Sequence, residues 1–257
     1  MNYEEIQPNR ELRAYARQQL NGFWGAMALT FFIYSLFYLP YYVFSILASI
    51  MDSIDKYDFL SIYFYMIMDL IDIYLPDIAS LITVINFILS MAAGITAGPF
   101  ALGFAGYFLK RVRGEEIDIK NIFDGFRRFA RAFWCNFIIQ LLTFLWLLLF
   151  IIPGIVKALG YSMAFNIMYD NPEIKALEAI NRSQIMMKGY KFKLFLLYLS
   201  FIGWVLLASL SFGIGFYWLY PYIYLSLANF YENLKRNQEK QTVAKPDPFA
   251  TPGVMPN

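Results

Sequence analysis

Three amides are the polar side chains best placed for chemistry in this chain. Asn136 and Gln140 stand four residues apart in the apolar run 133–152, so they share one helical face. Asn166 lies near the inner end of the run 154–169, at a similar depth if the two runs fold back on one another. Such a cluster could line a path for a solute. It could equally hold helices together, at roughly 0.6–2 kcal/mol per interhelical hydrogen bond. Lys157, three residues past Gly154, could attract an anion or snorkel to the outer headgroups. Arg127, Arg128 and Arg131 fall opposite an apolar helical face of Ile122, Phe123, Phe126, Phe129, Ala130 and Phe133. They suit anionic lipid phosphates, or they set topology as charges on a solvated inner face. Backbone groups are a further resource. Gly98-Pro99 and Pro221 interrupt apolar runs, and Pro153-Gly154 separates two of them. Broken helices free backbone groups that can meet a ligand, although proline kinks are also relieved by neighbouring helices.

Other chemistry is poorly supplied. Histidine is absent, which removes the commonest metal ligand and the commonest general base near neutral pH. The one cysteine, Cys135, allows no intramolecular disulfide and reads as a small buried apolar residue. There is no Walker A loop, GxGxxG, HExxH, CxxC or GxSxG, and no acid pair within an apolar run. We therefore expect no catalytic residue, no metal site and no cofactor. The basic residues follow the ends of apolar runs instead of forming one patch, so nucleic acid is not an expected partner.

The elements that must position these residues are apolar and long. Hydrophobic residues make up 59% of the chain and charged residues 16%, below the quarter usual in soluble domains. Apolar runs lie near 23–50, 79–109, 133–152, 154–169, 193–211 and 214–231. A helical span needs about 20 residues. Read as six spans, they leave 19 of the 21 Lys and Arg residues on one side, with only Lys56 and Lys157 on the other. The positive-inside rule then places both termini in the cytoplasm. The expected fold is all-α: a single transmembrane domain over 1–236, six transmembrane helices as three hairpins, with amphipathic interfacial helices on the cytoplasmic side. Pro40 is expected to kink or end the first span, with Tyr34, Tyr38, Tyr41 and Tyr42 near the outer headgroups. The acidic segment 52–78 is external, and within it 59–75 is expected to lie in the outer interface, with a crossing as the alternative. Residues 237–257, rich in proline, form an expected disordered cytoplasmic tail. The N-terminus carries Glu4, Glu5 and Glu11, and the run that follows is too long for a signal peptide, so it is expected to be retained.

Three cytoplasmic helices are expected, at 10–22, 120–132 and 172–189. The last has Asn171 as N-cap, Pro172 at the first helical position, and a shared face of Lys175, Glu178 and Arg182. Gly22-Phe23, Ala132-Phe133 and Gly189-Tyr190 each lead from such a helix into a span. A threefold repeat of surface helix plus hairpin fits this, and so does chance likeness among apolar segments.

The stretches NRELRAYARQQLNGFWGAM (9–27), GFRRFARAFWCNF (125–137), the long run 151–204 and FGIGFYWLYPYI (212–223) resemble the bacterial integral membrane family known as domain of unknown function 975. The resemblance covers most of the chain and leaves out 52–78 and the tail. It implies a multi-pass protein of the bacterial cytoplasmic membrane and carries no activity, ligand or catalytic residue with it. Three function classes remain open. The first is a non-catalytic membrane protein that organises or binds lipid, anionic inner-leaflet lipid above all, or binds a protein partner or a second copy of itself. The second is a transporter or channel for a small or amphiphilic solute. An intramembrane enzyme is the third, weakened by the missing histidine and acid pairs.

Overall fold

The computed structural model describes residues 7–54, 66 and 78–244, and among these every regular element is a helix. In chain order they are α1 (Asn9–Leu20), α2 (Trp24–Ile54), α3 (Ile78–Val112), a 3₁₀ segment (Ile119–Arg128), α4 (Phe129–Leu149) and α5 (Ile151–Tyr161). There follow α6 (Ala164–Asp170), α7 (Ala176–Met186), α8 (Lys191–Leu199), α9 (Ile202–Leu210) and α10 (Phe216–Ala244). The expected interfacial segment 59–75 lies outside the described residues, apart from Met66, as does 245–257. Residues 237–244, expected in a disordered tail, continue α10.

Among the described residues, five stretches are long and apolar enough to cross a membrane: Trp24–Leu47, Ser80–Val112, Ile119–Leu149, Ile151–Asp170 and Lys191–Leu210. The run 214–231 is not among them. It forms the first part of α10, where Tyr217, Tyr220, Tyr222, Tyr224, Ser226 and Asn229 dilute its apolar character.

Packing follows from small residues and rings. α2 and α3 run antiparallel: Thr30 meets Tyr107, Phe31 stacks on Phe104, and Tyr38 bonds Thr96. The 3₁₀ segment lies along α3. A Cβ on Gly103 would sit 1.8 Å from the Ile122 carbonyl oxygen, and one on Gly125 would sit 1.9 Å from that of Pro99. Two bare backbones therefore touch, and Ile122 is fully buried in the contact. Ile122, on the apolar face expected at 120–132, therefore covers α3, while Phe129 of the same face stays exposed.

The expected helix breaks are also displaced. Pro40, Pro99 and Pro221 lie inside continuous helices, and Gly98 serves as the place where Ala132 and Asn136 of α4 come close. Pro153 and Gly154 belong to the first turn of α5. The chain reverses one step earlier, at the extended Phe150, and Gly154 then packs on Leu147. Real interruptions occur elsewhere, at Ser162–Met163 between α5 and α6 and at Ser200–Phe201 between α8 and α9. At the first, Ser183 of α7 accepts from the Met163 N–H at 3.1 Å and donates to the Gly160 carbonyl at 2.7 Å. At the second, an Arg13 guanidinium nitrogen lies 3.5 Å from the Ser200 carbonyl.

α1 buries Leu12, Ala16 and Leu20, and docks on α10 where Asn229 donates to Gln19 at 2.8 Å. α7 starts at Ala176 with Lys175 at its N-cap, because the Asn171 amide turns back to the Ile167 carbonyl at the end of α6. Its Glu178–Arg182 pair forms as expected, at 2.6 Å. Gly22 and Gly189 follow α1 and α7 with φ of 78° and 86°, a region that favours glycine. The first and third of the proposed repeat units thus share a turn. The second does not: Ala132-Phe133 lies within α4.

Candidate functional site

The three amides are not brought together. Asn136 packs against Gly98 of α3, Gln140 is exposed on the apolar outside of α4, and Asn166 lines a cavity of about 430 Å³ with Ser162 and Tyr198. Among the described residues no hydrogen bond joins any two of them; the Asn166 amide points to the Met163 sulfur at 3.8 Å. Leu148 to Ile152 form an apolar tip at the α4–α5 reversal, with Ile152 76% exposed.

The arginines divide as well. Arg127 has a side chain 85% exposed, with Asp124 3.8 Å away. Arg128 donates to the Met168 carbonyl at 3.3 Å. Arg131 donates to the Pro172 carbonyl and pairs with Glu173 at 2.9 Å. Two of the three therefore tie the start of α4 to the end of α6, and Arg127 stays exposed beside Asp124. Lys157 is half-buried. Its ammonium reaches Gln184 of α7 at 3.4 Å and lies 4.9 Å from the Trp146 ring centre, so its side chain is turned towards the protein.

An ion cluster ties α3, α6 and α10 together. Arg113, just past the end of α3, bonds Asp170 at 2.8 Å and Glu232 at 2.6 Å. Lys235 closes on Asp170 at 2.7 Å, and the Tyr231 hydroxyl donates to the same carboxylate at 3.0 Å. The carboxylates are nearly buried, at 8% and 11% side-chain exposure. Burial favours loss of the Arg113 proton, but its hydrogen bonds and charge interactions with Asp170 and Glu232 outweigh this and raise its pKa above the ordinary value. With two cations on two anions, the cluster is internally neutral and acts as a clasp. Sequence periodicity gave no clue to it, because the partners lie 57 and 119 residues from Arg113.

A large concave feature lies between α2, α3, α10 and the α9–α10 turn. It holds about 860 Å³ and is bordered by six tyrosines, Tyr34, Tyr38, Tyr42, Tyr217, Tyr220 and Tyr224. Phe104, Tyr220 and Tyr224 also border the Asn166 cavity, so the two chambers share a wall. That wall is a ring stack: Phe31 on Phe104 at 4.9 Å, Tyr220 on Phe31 at 5.4 Å, and Tyr224 on Phe108 at 5.3 Å. Tyr34 points inward, edge-on to Phe100 and Phe104. A readable signal existed: 34, 38 and 42 on α2, and 217, 220 and 224 on α10, are stripes at helical spacing.

No curated protein and no solved structure matches this chain. One family does, described as "Protein of unknown function (DUF975)", in two overlapping stretches, residues 1–159 and 151–238. These matches span nearly the whole chain, which therefore belongs to the DUF975 family.

Proposed function

We propose that this is a non-catalytic, multi-pass protein of the bacterial cytoplasmic membrane that binds anionic lipid of the inner leaflet and so organises the membrane around it. One observation carries this. The stretches 24–51, 78–109, 132–156 and 194–231 contain no charged residue, while exposed Arg10, Arg17, Lys120, Arg127, Lys188 and Arg236 lie between or beyond them. A hydrocarbon layer accepts the first set, and a negatively charged leaflet attracts the second. The last stretch folds back at the Ser211–Gly215 turn so that Phe201 meets Tyr222 across the two arms, which supports a sixth crossing by the start of α10. In this topology six crossings form three hairpins, with both termini cytoplasmic. A metal or cofactor has no part in it, and neither has nucleic acid. A protein partner or a second copy of the chain remains compatible with it.

The test uses the full chain in nanodiscs of mixed phosphatidylethanolamine and phosphatidylglycerol. Retained lipid is counted by native mass spectrometry. Arg17→Glu, Arg127→Glu and Lys188→Glu together are expected to cut retained phosphatidylglycerol several-fold; unchanged retention rules the proposal out.

A second reading, transport of a small or amphiphilic solute, is favoured by Asn166 facing a cavity beside the interruption at Ser162–Met163. It predicts that Asn166→Cys, with Cys135→Ser, reacts with a membrane-impermeant thiol probe. No reaction would remove its main support.

A further inference from the structure

The six-tyrosine chamber is larger than helix packing requires. Its 860 Å³ falls within the range of small-molecule sites, about 300–1,000 Å³. Among the described residues, no Asp, Glu, Lys or Arg borders it or its neighbour across the shared wall. A charged ligand would lose its hydration there and gain no counter-ion, so whatever enters must be uncharged.

The hydroxyls divide into two sets. Ser35 and Tyr217 share a hydrogen bond at 3.0 Å, and Tyr38 is bonded to Thr96 at 3.2 Å. Tyr220 and Tyr224, on the shared wall, make no hydrogen bond among the described residues, and both remain partly exposed to the open space. A hydroxyl facing an apolar space without a partner is unfavourable. The rings give flat apolar faces to hydrocarbon, and the two free hydroxyls give a place for one neutral acceptor.

The rim adds a third feature. Phe212, Gly213 and Ile214 of the α9–α10 turn border the chamber. Phe212 is 99% exposed and holds φ at 53°, a region where bulky residues are strained. In the proposed topology this turn stands at the outer end of the last two crossings, where an exposed aromatic ring suits the membrane interface, so the mouth opens at the outer lipid boundary. This last step rests on the proposed membrane embedding.

We propose that the chamber is a binding site for a neutral lipid: a hydrocarbon chain ended by an uncharged ester or hydroxyl group, as in diacylglycerol. The chain lies against Phe31, Phe104 and Tyr34, and its neutral end bonds Tyr220 or Tyr224. The site is separate from the basic surface that attracts anionic lipid.

The experiment uses the full chain in phosphatidylethanolamine nanodiscs with one of two photoreactive probes. Each carries a diazirine midway along one acyl chain; one is a diacylglycerol, the other a phosphatidylglycerol. Adducts are mapped by peptide mass spectrometry. Diacylglycerol adducts are expected to concentrate on chamber residues above the lipid-facing Phe87 and Leu145, and phosphatidylglycerol adducts are not. The Tyr220→Phe/Tyr224→Phe double variant keeps both rings and is expected to lower chamber labelling by about tenfold, the worth of one hydrogen bond of ~1.4 kcal/mol, with an unchanged melting midpoint. Equal labelling of chamber and control residues overturns the proposal. So does chamber labelling by phosphatidylglycerol as strong as by diacylglycerol, and so does undiminished labelling in the double variant. Unchanged phosphatidylglycerol retention in the Arg17→Glu/Arg127→Glu/Lys188→Glu variant would sink the proposed function and leave these outcomes intact.

Discussion

At the scale of single residues, Asp170 decides how three helices meet. Its carboxylate holds Arg113, Lys235 and Tyr231 at once and is nearly sealed from water. A buried ion pair adds little net stability over an apolar substitute, but removing one partner strands the other. Asp170→Ala is therefore expected to cost about 3–5 kcal/mol. Lys235→Met, at a more exposed position, is expected to cost at most about 1 kcal/mol. Thermal unfolding in detergent checks the order, and equal losses would contradict the clasp. Phe212 is the opposite case. Its side chain makes little contact, and its backbone is strained. Phe212→Gly is expected to raise stability by about 1 kcal/mol in the same measurement, and a clear loss would mean that the ring does pack. Neither residue was legible in the sequence. Asp170 was one acid at the end of an apolar run, and a left-handed phenylalanine has no sequence signature when glycine stands beside it.

At the scale of elements, apolar patterning was legible, and what each face touches was not. Ile122 and Phe126 form the expected stripe, but a stripe reads the same whether it meets lipid or another helix. What decided the matter was glycine placement: Gly103 and Gly125 let the 3₁₀ segment lie on α3 at backbone contact. Either Gly→Ala change is expected to cost about 1–3 kcal/mol through overpacking. Gly94→Ala, with open space around it, is expected to gain up to about 1 kcal/mol of helix propensity. Melting midpoints that shift alike in all three would contradict this packing. The prolines misled for a related reason: in long packed helices, neighbours absorb the lost hydrogen bond, so Pro40, Pro99 and Pro221 break nothing. The interruption at Ser162–Met163 carries no proline and is held by Ser183 from another helix. Ser183→Ala leaves the Met163 N–H and the Gly160 carbonyl without that hydroxyl, an expected loss of about 1–3 kcal/mol. An unchanged midpoint would show that the interruption needs no such support.

At the scale of the molecule, charge carries the account. Charged residues are missing from four long stretches and gather between them, and this was plain in the sequence because the cost of a charge in hydrocarbon acts on residue type, whatever the packing. The aromatic chamber needed the fold, since its two tyrosine stripes lie far apart in the chain and face each other only when α2 and α10 pack on α3. The meaning of the charge pattern depends on the direction in which the helices are threaded. The most direct measurement is cysteine accessibility in intact cells, with Cys135→Ser as background and Asp55→Cys or Lys120→Cys as single sites. A membrane-impermeant maleimide is expected to label position 55 in intact cells and position 120 only after permeabilisation. Labelling of both positions from outside, or of neither until the membrane is opened, would contradict the account.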